Sequence, residues 1–342
     1  MRRIGILTGG GDCPGLNPTI RAVVRKALEE KFLVLGIKNG WKGLIEKDVM
    51  KLDLNSVSGI LPKGGTILGT SRTNPFSKEE YLKKALKNYK RLGLYALVAI
   101  GGEDTLGVAA KLCKKGLKIV GVPKTIDNDL SATDFTFGFD TAVNIATEAI
   151  DRLHTTAESH HRIMVVEVMG RHAGWIATYS GIAAGADVIL IPEKPIDIHE
   201  VCDILRKRKN RGKGFSIVVV SEGAKMKEDK LVLQTKQKDE FGHVLLGGIG
   251  HILGKKIETM TGFETRVTVL GHIQRGGTPT AFDRVLATRY GIKAVELVKA
   301  KKFGKMVSLQ GNNITQVSIA KAVGTLKTVD MRLYNIAKVF FG

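Results

Sequence analysis

The stretch VAIGGEDTLG, Val98–Gly107, joins a β-branched apolar run to two glycines and then to a helix-compatible sequence. Strand, glycine turn and helix together make a phosphate cradle. Glycines let the backbone approach the anion, and helix N–H groups point at it. Yet two carboxylates, Glu103 and Asp104, stand where an anion is expected. Two acids there repel a phosphate unless they serve another purpose.

The same strand signal recurs along the chain, at 4–8, 32–37, 95–100, 118–122, 163–168, 187–191, 215–220 and 267–270. These runs are short, β-branched and apolar on both faces, which describes buried parallel strands rather than half-exposed ones. Helical patterns lie between them. Ile20, Val23, Val24, Ala27 and Leu28 form one apolar stripe after Pro18. Ser77 with Glu80 reads as a capping box, and Asp140 as a cap for the helix that follows it. Alternating strands and helices predict a doubly wound α/β fold with mainly parallel sheets. So many strands in 342 residues predict two lobes, with a boundary near 135–140. The polar segment 224–244 reads as a hairpin or surface insertion.

Bulk composition narrows the function. Hydrophobic residues at 43% and charged residues at 25% are ordinary for a globular protein. No apolar run approaches the ~20 residues of a membrane span, and no signal peptide is read at the start. Cys13, Cys113 and Cys202 are too few and too scattered for a disulfide frame or a zinc site, which points to a reducing, cytoplasmic setting. The net charge of +20 suits phosphorylated ligands, membrane surfaces or nucleic acid. The lysine-rich tracts carry little interleaved aromatic residue, so solvated helix faces are the better reading and nucleic acid is not expected.

Ligands of open α/β sheets bind beyond the carboxyl ends of strands. The loops there carry the chemistry-bearing motifs. TGGGDCPGLN, 8–17, is rich in glycine but fails the dinucleotide fingerprint: Pro14 stands where a glycine is needed, and no acid ends the second strand. A Walker loop fails too, for want of a following lysine and hydroxyl. LPKGGTILGTSRTNPF, 61–76, puts Arg72 among glycines and hydroxyls. VPKTIDNDL, 122–130, gathers Lys124, Thr125, Asp127 and Asp129, types that supply a general base and an electrophilic partner. Arg162, Arg171, His172, Glu222, Arg266, His272 and Arg275 lie by glycines or strand ends, a set suited to a multiply charged anion. Phosphoryl transfer, or another reaction of a nucleotide or phosphosugar, fits these loops. A non-catalytic sensor would lack the base or the metal ligand.

GGGDCPGLN, GGT-LGTSR, IGGEDT, PKTIDND, MGRHAG and LGHIQRGG, in this order from Gly9 to about Val298, resemble the 6-phosphofructokinase family. The resemblance implies a donor lobe of 1–138 plus about 274–324, and a sugar-phosphate lobe of about 139–273 plus 325–342. It implies phosphoryl transfer to fructose 6-phosphate with Mg²⁺. Asp127 would be the base, Gly11 and Arg72 would attend the donor, and Glu103 would hold the metal. Thr125, Asp127, Arg162, Met169, Gly170, Arg171, Glu222, Arg266, His272 and Arg275 would bind the sugar phosphate. Arg162 and Arg266 would come from a neighbouring subunit, implying a homodimer or homotetramer. Arg21, Arg25 and Lys213 resemble an effector site, but His154 stands where an arginine is usual, which argues against allosteric control. The ATP-using pattern has glycine at the positions of Asp104 and Lys124, though some ATP-using members also carry the lysine; members using pyrophosphate resemble this chain at both, and Asp104 is the stronger sign. Asp104 would occupy and repel the α-phosphate of ATP, and Lys124 would meet charge developing on the transferred group. Reversible, pyrophosphate-dependent phosphorylation of fructose 6-phosphate in glycolysis is therefore expected, with an ATP-dependent enzyme as the alternative.

Overall fold

The computed structural model describes residues 1–227, 233–238, 240–242 and 244–342. Its strands are β1 (Arg3–Thr8), β2 (Leu33–Ile37), β3 (Val49–Leu52), β4 (Leu94–Gly101), β5 (Ile119–Pro123), β6 (Ile163–Val168), β7 (Val188–Leu190), β8 (Ser216–Ser221), β9 (Leu233–Lys238), β10 (Val244–Leu246), β11 (Thr265–Val269), β12 (Lys305–Gln310) and β13 (Asn313–Ser318). Its helices are α1 (Leu16–Glu29), α2 (Trp41–Glu46), α3 (Glu79–Arg91), α4 (Glu103–Lys114), α5 (Phe139–His160), α6 (Trp175–Ala183), α7 (Ile198–Asn210), α8 (Ile249–Thr261), α9 (Ala281–Lys299), α10 (Ile319–Ala322) and α11 (Met331–Lys338).

Two main sheets result. The larger has the order β13-β12-β5-β4-β1-β2-β3, and the smaller β11-β6-β8-β7. The smaller is parallel throughout; the larger is parallel except at its edges, where β3 and β13 run antiparallel. The α/β architecture with mainly parallel sheets is as expected. All eight apolar runs form strands. β6 and β8 are buried at every position, because helices cover both faces. One continuous apolar cluster joins residues of both sheets, from Ile4 and Ile6 to Val166 and Val219.

The order of each sheet reverses at one point. In the larger sheet the chain winds outward in opposite directions from between β1 and β4; in the smaller it runs from β6 to the edge strand β7, turns back to β8 and passes β6 to reach β11. Adjacent loops there turn apart and leave a crevice at the carboxyl ends of the strands. Among the described residues, no helix is long and apolar enough to cross a membrane.

Two expected helix caps are different. The cap position of α3 is Lys78, and the Ser77 hydroxyl donates to the Asn74 carbonyl instead. The cap of α5 is Gly138 in a left-handed conformation (φ 95°). Asp140 lies inside the first turn, and its carboxylate accepts from the Thr280 hydroxyl at 2.6 Å. At Asp140 a partner 140 residues away takes the place of the local bond, whereas the Ser77 hydroxyl turns back into the preceding turn. The segment 224–244 does contain an antiparallel pair, β9 with β10; residues 228–232, 239 and 243 within it lie outside the described residues.

Candidate active site

Two adjoining clefts lie where the sheets face each other. The first, about 740 Å³, is lined by Gly10 and Gly11 after β1, Gly102–Thr105 at the start of α4, and Lys124, Thr125, Asp127 and Asp129 after β5. Arg72, Arg171, His172, Phe241 and Arg275 complete it. The second, about 770 Å³, is lined by Met169 and Arg171 after β6, Glu222 after β8, and Gly271, His272 and Arg275 after β11, with Glu167 at its base. Arg72, Asp127, Arg171 and Arg275 line both. Asp127 therefore stands at the junction.

Lys124 extends β5 by one residue, its N–H donating to the Gly101 carbonyl at 3.0 Å. Its side chain is 3% exposed and its Nζ donates to the Gly11 carbonyl at 2.5 Å. Burial pulls its pKa below that of a free lysine, and the Arg275 guanidinium acts in the same direction. A cation with one backbone acceptor, held in the wall of an anion-sized cleft, keeps most of its charge for a ligand. A Cβ at Gly11 would come within 2.7 Å of Arg275 Nη1, so a larger residue here would displace that guanidinium. Cys13 beside them is no nucleophile: burial pushes its thiol up to about 12.

The turn after β5 is held from within. The Asp127 N–H donates to Thr125 Oγ1 at 3.1 Å. Asn128 adopts a left-handed φ of 51° and accepts from the Thr136 N–H at 3.0 Å. Asp127 Oδ1 is enclosed and has no hydrogen-bond partner. A buried carboxylate oxygen without a donor costs on the order of 1–3 kcal/mol or more, so it is poised for a proton or a cation. Asp129 is raised to about 7, by burial first and then by Asp127 and Glu103. Three carboxylates thus crowd one side of the first cleft.

The back of this turn leans on residues 321–330. The Lys327 N–H donates to the Asp129 carbonyl at 2.9 Å. Lys327 Nζ donates to the carbonyls of Thr133 at 3.0 Å and Asp134 at 2.5 Å. The same segment grips the smaller sheet's layer: Trp175 Nε1 donates to the Lys327 carbonyl at 2.9 Å, and Glu193 accepts from Val329 and from Gly174.

In the second cleft, Glu222 is raised to about 7, by burial first and then by Asp127 and Glu167. Gly170 does not line either cleft; it shapes the loop between Met169 and Arg171. Its φ of 134° excludes side chains, and a Cβ would meet Ser221 Oγ at 2.8 Å. Its carbonyl accepts from Ser221 at 2.7 Å.

Thirteen of the fifteen residues expected at the site, Gly170 included, fall at or beside the two clefts. Arg162 and Arg266 do not. They sit at the opposite ends of β6 and β11, roughly 20 Å away at about 3.3 Å per strand residue. Both pair with Glu264, Arg162 at 2.8 Å, and Arg162 Nε is buried without a partner. Sequence reasoning missed Glu167 and Phe241. Glu167 had a visible signal, a lone carboxylate inside the apolar run IMVVEV. Phe241 had none, because nothing local says that a polar insertion reaches back to a glycine loop on the other sheet.

The phosphofructokinase family model matches residues 3–298. The chain is 58% identical over 342 residues to the pyrophosphate–fructose 6-phosphate 1-phosphotransferase of Streptomyces coelicolor, covering 99% of this chain and 100% of that one. It is also 55% identical over 328 residues to the ATP-dependent 6-phosphofructokinase 3 of the same organism, covering 96% of each. The fold matches a pyrophosphate-dependent phosphofructokinase from Nitrosospira multiformis with a TM-score of 0.84 at 20% identity, over 96% of this chain and 86% of that one.

Proposed function

The chain belongs to the phosphofructokinase family, and from that premise we propose that it transfers a phosphoryl group reversibly between pyrophosphate and the 1-hydroxyl of fructose 6-phosphate. Asp127 takes the hydroxyl proton; the oxygen attacks the terminal phosphorus; the bridging P–O bond breaks and orthophosphate leaves. Asp127 suits this role because it stands between the two clefts with an unpartnered oxygen. Lys124 and Arg72 balance charge on the donor and leaving group, and the Gly11 loop cradles it. Thr125, Met169, Gly170, Arg171, Glu222, His272 and Arg275 hold the sugar phosphate. The reaction runs both ways because the phosphoanhydride broken and the phosphoester formed are close in energy.

The observation that carries the choice of donor is Asp104. It lies in the first turn of α4 and lines the first cleft. There it accommodates a two-phosphate donor but sets a fixed negative charge against the further phosphate of a nucleotide. The relatives' names include both donors, so this residue and not the names decides the reading.

The carboxylates Glu103, Asp127 and Asp129 fit a hard divalent cation, which takes oxygen ligands. Among the described residues no three acidic, His or Cys side chains cage a metal alone. Magnesium held by Glu103 would therefore complete its shell with phosphate and water. When bound, it would neutralise charge on the donor phosphates. Arg162 and Arg266 serve the sugar-phosphate site of a neighbouring copy, making the enzyme a homo-oligomer with shared sites. The larger sheet, 1–138 plus about 274–324, forms the donor lobe; about 139–273 plus 325–342 forms the sugar-phosphate lobe. The setting is the cytoplasm, in glycolysis.

A coupled assay with pyrophosphate and with ATP, each with magnesium, tests the proposal. Pyrophosphate should support turnover far above ATP. Comparable or greater activity with ATP would instead favour the ATP-dependent reading.

A further inference from the structure

The hairpin of β9 and β10 leaves the smaller sheet after Glu222 and returns to it at α8. Its returning end is clamped. The Glu167 carboxylate accepts from the Gly248 N–H at 2.9 and 3.1 Å and from the Gly250 N–H at 2.7 Å. Leu246, ending β10, lines the second cleft. The turn at the hairpin's other end reaches across to the larger sheet. Glu240 Oε2 accepts from the Asn74 N–H at 2.7 Å. Phe241 packs against the apolar cluster that includes Leu97, Leu106 and Ala109, and lines the first cleft.

A third cleft opens beside the first. The two are divided between sequence neighbours: Arg72 and Phe241 line the first, Thr73 and Glu240 the third. Lys42, Tyr81 and Lys84 form the third cleft's remaining wall, with Ile45 and Glu46. The hairpin tip and the Arg72 loop are thus the partition between the first cleft and a further polar space.

From this geometry we infer that the hairpin tip, Phe241 with Glu240, is a length filter on the phosphoryl donor. The phenyl ring ends the donor cleft, and the Glu240 carboxylate sets negative charge at the point where a third phosphate would emerge. Asp104 acts inside the cleft and the tip at its mouth, so donor choice has two separate determinants. The filter rests on the pyrophosphate reading given above. A specificity element of this kind acts by what it refuses as much as by what it binds.

The test is steady-state kinetics of the wild type, Phe241→Ala, Phe241→Leu and Glu240→Gln at saturating fructose 6-phosphate, with pyrophosphate, linear tripolyphosphate or ATP. Phe241→Ala should raise the ratio of kcat/KM for tripolyphosphate over pyrophosphate by about tenfold or more, a difference in transition-state binding between two donors. Phe241→Leu and Glu240→Gln should raise it less, and KM for fructose 6-phosphate should stay within about twofold. An unchanged ratio in folded Phe241→Ala overturns the filter. So does an equal loss with every donor, the signature of a merely structural residue. If Phe241→Ala does not fold, unchanged ratios in both milder variants overturn it. Wild-type activity with ATP equal to that with pyrophosphate overturns both the filter and the donor reading. A wild-type preference for pyrophosphate with unmoved ratios overturns the filter alone.

Discussion

Asp104 and its neighbour Glu103 occupy the first turn of α4, where helix amides face the cleft. Acids are stabilised there by the helix dipole, so the fold tolerates them without strain and function can use them. Replacing Asp104 with glycine should admit ATP: kcat/KM for ATP should rise by at least about tenfold, the scale of one charge removed from a phosphate's path. A folded Asp104→Gly enzyme with no measurable ATP turnover would sink the steric and charge account. At this scale the sequence displayed the residues but not their surroundings. Lys124 stands out in its motif, but its burial against the Gly11 carbonyl appears only in the fold. Glu167 reads as an oddity in a strand until its carboxylate is seen to hold two glycine amides.

Parallel strands were the most legible elements, because burial on both faces leaves unbroken apolar runs. β3, β12 and β13 escaped notice. β3 and β13 are edge strands, open on one side and mixed in polarity, and β12 pairs with β13 through a tight turn. The Gly311–Asn312 pair at that turn is a hairpin signal that was present in the sequence. The N-terminal ends of α5 and α9 show why caps are harder. Asp283 Oδ2 accepts from the Thr141 N–H at 2.9 Å and from its hydroxyl at 2.5 Å, pinning the two helices together. Its Oδ1 is buried without a partner, and burial raises its pKa from 3.8 to about 6. A raised carboxyl contributes stability while protonated and loses it as pH rises from the unfolded value through the folded one. Asp283→Asn should therefore gain melting temperature over the wild type at pH 7.5 but not at pH 4, within the window from 3.8 to about 6. Equal gaps in thermal melts at both pH values would refute the assignment.

Across the whole molecule, five of the six motif loops converge because each lies at the carboxyl end of a parallel strand; the sixth, 64–72, reaches them from the long connection after the antiparallel edge strand β3. That much follows from sequence once the strands are placed. The position of Arg162 and Arg266 does not, since one chain carries them far from its own clefts. If neighbouring copies share sites, Asp127→Asn and Arg162→Ala subunits should each be nearly inactive alone. Co-refolded in equal amounts they should recover about a quarter of wild-type activity, because half the dimers are mixed and each holds one intact site of two. Absence of recovery, with mixed oligomers verified by mass, would show that each chain works alone.

The segment 321–330 gives the molecule a property no single site reveals. It backs the loop that carries Asp127 and Asp129 while also holding Trp175 and Glu193, and its bonds to Ser131 and Asp134 span 190 residues or more of chain. The turn that carries Asp127 and this distant stretch are therefore expected to open together, which equal hydrogen-exchange protection of their amides would register. Chemical competence is then a readout of global integrity. On this coupling, a copy that begins to come apart should fall silent at once, leaving no half-unfolded enzyme that still spends pyrophosphate.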